Sequence, residues 1–474
     1  MRLLWHRRDC RIPDNPVVAS SDDGEAVLPV FVVDPAVVAH AAPPRAAVLA
    51  DALGSLDAAY RDRGGALHVA QGDPVDVIPA LAERHDADAV AWNRDHSMLA
   101  QRRDAAVRDA LPGGVTVDVH DGHVMHPPET FETSAGEPYQ VFTYYHRKWS
   151  DRAKPAPAAV PDLAVLDDEG EGVPDPSGLA GNGDDTGRQT GSPPDGSRDD
   201  ALDRLDAFLD GPVAAYHEAR DRPDRDGTSR LSHHLRFGTL GVREVWAATE
   251  RTADGSDADA SDDGIEAFRR QLAWRDFYAQ VLHHNPENTR MDHAPDRFPE
   301  GIAWRNDGDE FDAWRRGETG YPIVDAGMRQ LLEECWMHNR VRMIVASFLT
   351  KDLLIDWRWG YDHFERHLAD HDPANESGGW QWAAGTGTDA QPYFRIFNPT
   401  SQCESHDPEG SYVRRYVPEL ADASTDAIHD WPELSPAERE DAAPEYVDPI
   451  VDHAERREAA LAAFEAARGE DESD

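Results

Sequence analysis

The sequence predicts two parts: a doubly wound parallel α/β domain at the N-terminus, then an all-helical domain. Over the first 150 residues, short β-rich runs alternate with Ala-rich stretches of helical pattern, as in successive βαβ units. From Ala201 to about Leu420, apolar residues recur instead at spacings of three and four, as in Phe268–Leu282 and Met337–Leu354. The composition between them, over 151–200, turns to Pro, Gly, Asp and Ala, which reads as a flexible acidic linker. At 474 residues the chain is also too long for one ordinary core.

Taken in order, the strands are expected at Leu3–Trp5, Val27–Val33, Ala66–Ala70, Ala89–Trp92 and Val115–Val119. Helical patterns fall between them at Arg45–Arg63 and Pro74–His85. A sheet of this kind binds ligands beyond the carboxyl ends of its strands. No G-x-G-x-x-G or G-x-x-x-x-G-K-[ST] is present, so neither a dinucleotide fingerprint nor a P-loop is supported. The linker ends near Pro193-Pro194-Asp195-Gly196, and the acidic stretch Thr252–Gly264 reads as a solvated loop between helices. A charged helix over Pro449–Arg468 and an acidic tail follow, with no internal repeat. The domains are therefore expected at 1–150, 201–450 and 451–474, with the linker at 151–200.

Net charge is −44, from 91 acidic and 47 basic residues. A disordered acidic chain would lack the abundant Trp, Leu and periodic segments seen here. The charge fits the surface of a folded, salt-adapted protein and reports the solvent more than the substrate. Cys10, Cys335 and Cys403 are too widely spaced to suggest a disulfide framework or a metal site. No stretch reaches the roughly 18 apolar residues of a membrane span, and no signal peptide is evident. A cytoplasmic protein without a membrane partner is expected, acting as a monomer.

Most of the 13 tryptophans lie between Trp246 and Trp382, and Trp357, Trp359, Trp380 and Trp382 crowd together beside charged residues. Core packing explains any one of them. The crowding points to stacking on flat rings or to moving electrons between them. Gly227-Thr228-Ser229-Arg230-Leu231-Ser232, preceded by Tyr216, can start a helix and leave N–H groups for a phosphate, although simple capping is the commoner use. Trp274-Arg275 on an amphipathic helix, with Gln271 one turn earlier, suits stacking on a base and contact with a phosphate; a core Trp beside a surface ion pair is the alternative. Two further clusters run from Thr319-Gly320-Tyr321-Pro322 to Trp336-Met337-His338-Asn339-Arg340, and from Asp370-His371-Asp372 to Asn398-Pro399. No hydrolytic constellation is visible. The neighbours His233 and His234 are expected on different helix faces. Asp370 and Asp372 lack a third ligand, so no metal is expected.

These motifs, with the opening Leu4-Trp5-His6-Arg7-Arg8-Asp9-Cys10-Arg11-Ile12-Pro13-Asp14-Asn15-Pro16, resemble the photolyase/cryptochrome family over nearly the whole chain. They come closest to class I cyclobutane pyrimidine dimer (CPD) DNA photolyases. The resemblance implies a Rossmann-like antenna domain followed by a helical FAD-binding domain. It matches Tyr216, Thr228, Ser229, Arg230, Leu231 and Ser232 to contacts with the phosphates and ribityl chain of FAD. Asn339, Asp370, Asp372 and Glu376 match residues that line the flavin and its ribose. Trp380, Trp357 and Trp304 match an electron-transfer chain from flavin to surface. Trp274 and Trp382 match aromatics that flank a flipped-out lesion, with Gln271 and Met343 in the same pocket. Arg220, Arg275, Arg340, Arg395 and Gln402 match positions that contact UV-damaged DNA. Flipping a damaged pair costs less than flipping an intact one.

Two positions depart from the CPD pattern. Gln271 stands where CPD enzymes carry Glu and resembles (6-4) photolyases and animal cryptochromes, although Trp336–Met343 is CPD-like. Glu376 stands where CPD enzymes carry Asn, facing flavin N5. The resemblance thus implies light-driven CPD repair, with a blue-light sensor or (6-4) repair as alternatives. Leu99 and Ala100 replace a polar pair of folate-binding members, which leaves deazaflavin, methenyltetrahydrofolate or no antenna chromophore open.

Overall fold

The protein is described by a computed structural model over residues 1–181, 191–255, 260–287, 289–292 and 295–469. The N-terminal alternation forms a parallel sheet of β1 (Arg2–His6), β2 (Glu25–Val33), β3 (His68–Gln71), β4 (Ala89–Asn93), β5 (Thr116–His120) and β6 (Leu163–Val165). The order is β3-β2-β1-β4-β5, with β6 also on β2. Direction of winding reverses between β1 and β4, so the switch point lies beyond their carboxyl ends.

Side-chain alternation builds two cores on one sheet. Leu3, Trp5, Leu28, Val30, Val32, Val90 and Trp92 pack on one face with Ile78, Leu81 and Val107. Leu4, Val27, Phe31, Val33, Val69 and Ala91 pack on the other with Ala52, Leu53, Leu56 and Tyr60. The covering helices are Pro43–Arg61 on the second face and Pro74–Arg84 with Met98–Ala110 on the first. Burial on both faces is why these strands read as continuous apolar runs.

Two expectations need correction. The segment 151–200 carries β6, which pairs with Glu25–Val27 of β2, and a short helix, Pro176–Leu179. A Cβ on Gly196 would lie 2.1 Å from the Val48 carbonyl oxygen, so this end packs directly on the Pro43–Arg61 helix. Residues 182–190 of the expected linker lie outside the described residues. The expected loop Thr252–Gly264 is largely helical: Val242–Gly255 and Ala260–His284 enter it from both sides, and 256–259 lie outside the described residues. Acidic composition marks an exposed surface, and an exposed helix satisfies it as well as a loop does.

The second half is helical. Pro322–Glu334, Asn339–Ser347, Trp357–His367 and Pro373–Ala384 surround a core that includes Trp314, Met328, Val345, Trp357, Phe364 and Trp380. Asn339–Ser347 runs on into a π-helical turn, Phe348–Asp352. The charged helix near the C-terminus spans His453–Ala467, capped by Asp452, and packs Phe464 beside Trp304 and Phe298.

The two halves share buried side chains. Asp276, within the Ala260–His284 helix, accepts from Met125 N at 3.0 Å, His126 N at 3.3 Å and Trp149 Nε1 at 2.9 Å. Burial raises its pKa, and those donors oppose the rise.

Candidate functional site

The centre of the helical domain is organised around Arg342. Asn339–Ser347 begins at His338, whose Nδ1 accepts from Arg340 N at 3.2 Å. One turn on, Arg342 donates to Glu376 Oε1 at 2.9 Å, to Asp370 Oδ2 at 2.8 Å and to the Met337 carbonyl at 2.9 Å. Glu376 sits in the first turn of Pro373–Ala384, and Asp372 caps that helix by accepting from Ala374 N and Asn375 N, both at 3.1 Å. Asp372 also pairs with Arg8 from the N-terminal domain.

The carboxyls differ electrostatically. Burial pushes Glu376 up to about 7, with Asp370 and Asp372 adding to the effect and Arg342 opposing it. Burial would raise Asp372 as well, but Arg8, Arg236 and Arg275 hold it well below the usual range. The site therefore combines a fixed anion with a carboxyl that exchanges its proton near neutrality.

The helix that follows residues 228–231, Ser232–Phe237, is tied to this centre. Arg236 Nε donates to the His371 carbonyl at 2.7 Å, tying the Ser232–Phe237 helix to the Asp370–Asp372 segment. Arg340 reaches Asp221 at 2.8 Å, and Arg230 reaches Glu334 at 3.1 Å while its guanidinium lies 4.3 Å from the Trp336 ring centroid. Arg230 has φ +48°, a left-handed conformation rare outside Gly. Leu231, the N-cap, and Tyr216 are buried, Thr228 and Ser229 are half-buried, and Ser232 is exposed. Asn339 is exposed, and its Nδ2 has a weak contact with Met343 Sδ at 3.8 Å. Hydroxyls and an amide toward solvent on one side, and a buried Arg–carboxyl group on the other, fit a cofactor with hydroxyls and phosphates at one end and a ring with N–H and carbonyl groups at the other.

Trp357 and Trp380 are both buried in the main core, and Trp304 packs on its edge. Trp357 Nε1 donates to Asp292 Oδ1 at 2.8 Å, and Arg358 lies 4.7 Å from its ring centroid. Among the described residues, the ring nearest Trp380 is Phe364, at 5.0 Å, followed by Trp314 at 6.2 Å.

Among the residues expected to meet DNA, the structure separates free groups from committed ones. Trp274 is half-buried and stacks on Phe142, with centroids 3.6 Å apart. Trp382 is half-buried at 6.5 Å from Phe397, and Arg395 is exposed. Gln402 and Met343 are half-buried, and Gln271 Nε2 donates to the Ala267 carbonyl at 3.0 Å. Arg220 lies 3.9 Å from Asp221, which also pairs with Arg340. Arg275 is half-buried and bonds the Leu235 carbonyl at 3.1 Å, His123 Nε2 at 3.1 Å and the His123 carbonyl, so it links the Ala260–His284 helix to the N-terminal half.

The His233 and His234 expectation is also corrected. Their ring centroids are 3.9 Å apart, and with Asp200 they place potential ligand atoms within 4.8 Å of one another. His234 bonds Asp200 at 3.0 Å and Thr239 at 3.0 Å, and His233 bonds the Asp195 carbonyl at 3.1 Å. Arg204 already pairs with Asp200, and burial lowers both histidines to about 3. This is a neutral hydrogen-bonded cluster.

Sequence reasoning missed Arg342, Arg8 and Arg236 as partners of the acidic group. Arg342 follows Asn339 by three residues, a spacing that shares a helix face. Arg8 carried no signal, because its partner lies 364 residues away.

Comparison with known proteins agrees with this arrangement. Residues 2–162 match the family described as DNA photolyase, and residues 268–466 match the FAD binding domain of DNA photolyase. The chain is 50% identical to a deoxyribodipyrimidine photo-lyase from Halobacterium salinarum, over 99% of this chain and 100% of that protein. A solved bacterial class III photolyase from Agrobacterium tumefaciens has 37% identity and a TM-score of 0.86, over 98% of this chain and 97% of that one. An archaeal photolyase from Sulfolobus tokodaii, solved with two FAD molecules, has 30% identity and a TM-score of 0.80, over 98% of this chain and all of that one. Fold and site define a two-domain flavoprotein, a sheet domain joined to a helical FAD-binding domain. The chain belongs to the DNA photolyase family.

Proposed function

We infer that this protein repairs UV-damaged DNA in light, splitting cyclobutane pyrimidine dimers. The observation that carries the reading is end-to-end similarity to a deoxyribodipyrimidine photo-lyase at 50% identity. Bound FAD supplies the light-driven electron that opens the cyclobutane ring and recovers it afterwards; the protein supplies orientation and exclusion of side reactions. Asp370, Asp372, Glu376 and Asn339 hold the ring and ribose. Tyr216, Thr228, Ser229, Arg230, Leu231 and Ser232 hold the phosphates and ribityl chain. Trp304, Trp357 and Trp380 carry electrons from the surface. Trp274 and Trp382 flank the flipped lesion, with Gln271 and Met343 beside it, and Arg220, Arg340, Arg395 and Gln402 meet the backbone. Support for these roles comes from the Arg342–Asp370–Glu376 group, from the Arg236 bond that ties the Ser232–Phe237 helix to the Asp370–Asp372 segment, and from the half-buried indoles and exposed Arg395.

The sheet domain is the place for an antenna chromophore, a deazaflavin or methenyltetrahydrofolate, with an empty site as the alternative. The chain acts in the cytoplasm as a monomer. None of the helices among the described residues is long and apolar enough to cross a membrane.

The test is illumination of reduced, FAD-loaded protein with a CPD-containing oligonucleotide in high salt, following recovery of thymine absorbance. Light-dependent recovery is expected. A flavin-loaded protein that leaves the CPD intact but repairs a (6-4) photoproduct would reassign the substrate. Repair of neither would point to a light sensor.

A further inference from the structure

The two indoles assigned to the flanks of a flipped lesion are joined by a strap from the N-terminal half. Phe142 opens the helix Phe142–Asp151, is buried, and stacks on Trp274 with centroids 3.6 Å and planes 8° apart. Its backbone N–H donates to Asp389 Oδ2 at 3.1 Å. Asp389 lies on the loop that follows Trp382 and folds back on it, where Gln391 N donates to the Trp382 carbonyl at 3.3 Å. We propose that Phe142 and Asp389 are positioning residues for lesion recognition, which together fix the Trp274 indole relative to Trp382. The inference rests on the repair reading above.

Ring quadrupoles favour offset or edge-on pairs with centroids about 4.5–7 Å apart. A nearly eclipsed pair at 3.6 Å is therefore held by its surroundings more than by its own attraction. Arg270 and Trp274 are one turn apart on Ala260–His284, so both face Phe142, and the Arg270 guanidinium lies 4.9 Å from the Phe142 centroid. Its charge draws on the Phe142 π-cloud and eases the contact with the indole. Phe277 packs edge-on at 5.7 Å from Phe142 and 5.6 Å from Trp274. These contacts fix the ring, and the Asp389 bond fixes the backbone from which it projects. Val141, the N-cap, makes no side-chain bond to the helix start, so the Asp389 carboxylate serves in place of a cap. Asp389 itself has φ +54°, a left-handed conformation maintained by its surroundings. Arg297 anchors the same loop by donating to the Gly385 carbonyl at 3.0 Å.

With one face of the Trp274 indole covered by Phe142, a pyrimidine meets the other face or the edge. A stacking wall is selective only while its distance from the opposite wall is fixed. An indole free to move inward would close on a single flipped base as readily as on two linked pyrimidines. The strap therefore acts on the discrimination between damaged and undamaged DNA. Phosphate contacts, made by other residues, hold either DNA alike.

The experiment uses the full chain with bound FAD, after flavin absorbance and melting temperature have shown each variant to be loaded and folded. Binding of a CPD-containing oligonucleotide and of its undamaged counterpart is measured by fluorescence anisotropy in the dark, at one KCl concentration. Phe142→Leu and Asp389→Gly are each expected to weaken CPD binding by about tenfold and undamaged binding by less than about twofold. Glycine keeps the left-handed backbone at 389, so the second variant removes the carboxylate alone. The Phe142→Leu/Asp389→Gly pair should lose little more than either, because both act through one indole. Asp389→Asn, which retains an acceptor oxygen, should restore most of the discrimination. Should Asp389→Gly fail to load flavin, Phe142→Leu decides. If a loaded variant keeps the wild-type ratio of CPD to undamaged affinity, or loses both affinities equally, the positioning role is overturned while the repair reading stands. A flavin-loaded wild-type chain that binds both DNAs equally and leaves the CPD intact in light overturns the functional reading and this inference together.

Discussion

Glu376 carries its proton to about pH 7 because burial outweighs the pull of Arg342. A carboxyl whose folded pKa lies above its unfolded value stabilises the fold fully below the unfolded value, and that contribution is lost as pH rises through the folded one. Glu376→Gln removes the loss. The variant should therefore gain stability relative to wild type between pH 5 and pH 8, by on the order of 2 kcal/mol. Urea unfolding at the two pH values checks this, and an unchanged difference would show that Arg342 keeps Glu376 ionised throughout. Position 376 was legible in the sequence because its motif is long. The environment of single arginines was not. Arg275 beside Trp274 read as a surface cation, but its partners, His123 and Leu235, lie far away along the chain. A charged side chain shows its burial only after folding has supplied its acceptors.

The Pro373–Ala384 helix depends on its first residue. Asp372 satisfies two leading N–H groups and neutralises Arg8 across the domain boundary. Asp372→Ala should cost about 2 kcal/mol, combining the lost cap with a half-buried Arg8 left with Asp95 as its remaining carboxylate partner. Asp372→Asn keeps the cap and should cost less; comparing the two in urea separates the terms. Lys351, in the π-helical turn, is the opposite case: it is buried, bonds the Ala384 carbonyl at 2.8 Å and lies 3.5 Å from the Phe464 ring centroid, and burial drives its pKa well below the ordinary value. Lys351→Met should be neutral or stabilising, within about 1 kcal/mol, because a thioether fills the space without desolvating an amine. A fall in melting temperature of more than a few degrees would show that the contact with the Phe464 ring outweighs the cost of burying the amine. Regular elements were legible wherever period and caps agreed, as for the strands β1 to β5. β6 was not, since three residues carry too little pattern and its edge position is set by β2.

Across the whole molecule, a net charge of −44 places repulsive energy on the folded surface. Screening should relieve it, so the melting temperature should rise steadily from about 0.1 M to about 2 M KCl, where the Debye length has fallen from roughly 10 Å to a few ångströms. A flat profile would mean that local ion pairs already compensate the excess. The chain-wide charge and the order of the two domains were legible from composition and periodicity. Their mutual dependence was not, and Asp276 is one of the groups that carry it, with Asp372 beside Arg8 another. The Asp276 carboxylate lies in the helical half, while the groups that satisfy it, Met125, His126 and Trp149, belong to the segment following the sheet. Cutting the gene near residue 200 would leave the catalytic half with an orphaned anion in an apolar seam, prone to clumping instead of refolding alone. The two halves are thus inherited as one unit: recombination that exchanged the N-terminal half for that of a distant relative would need a newcomer that brought donors for this carboxylate.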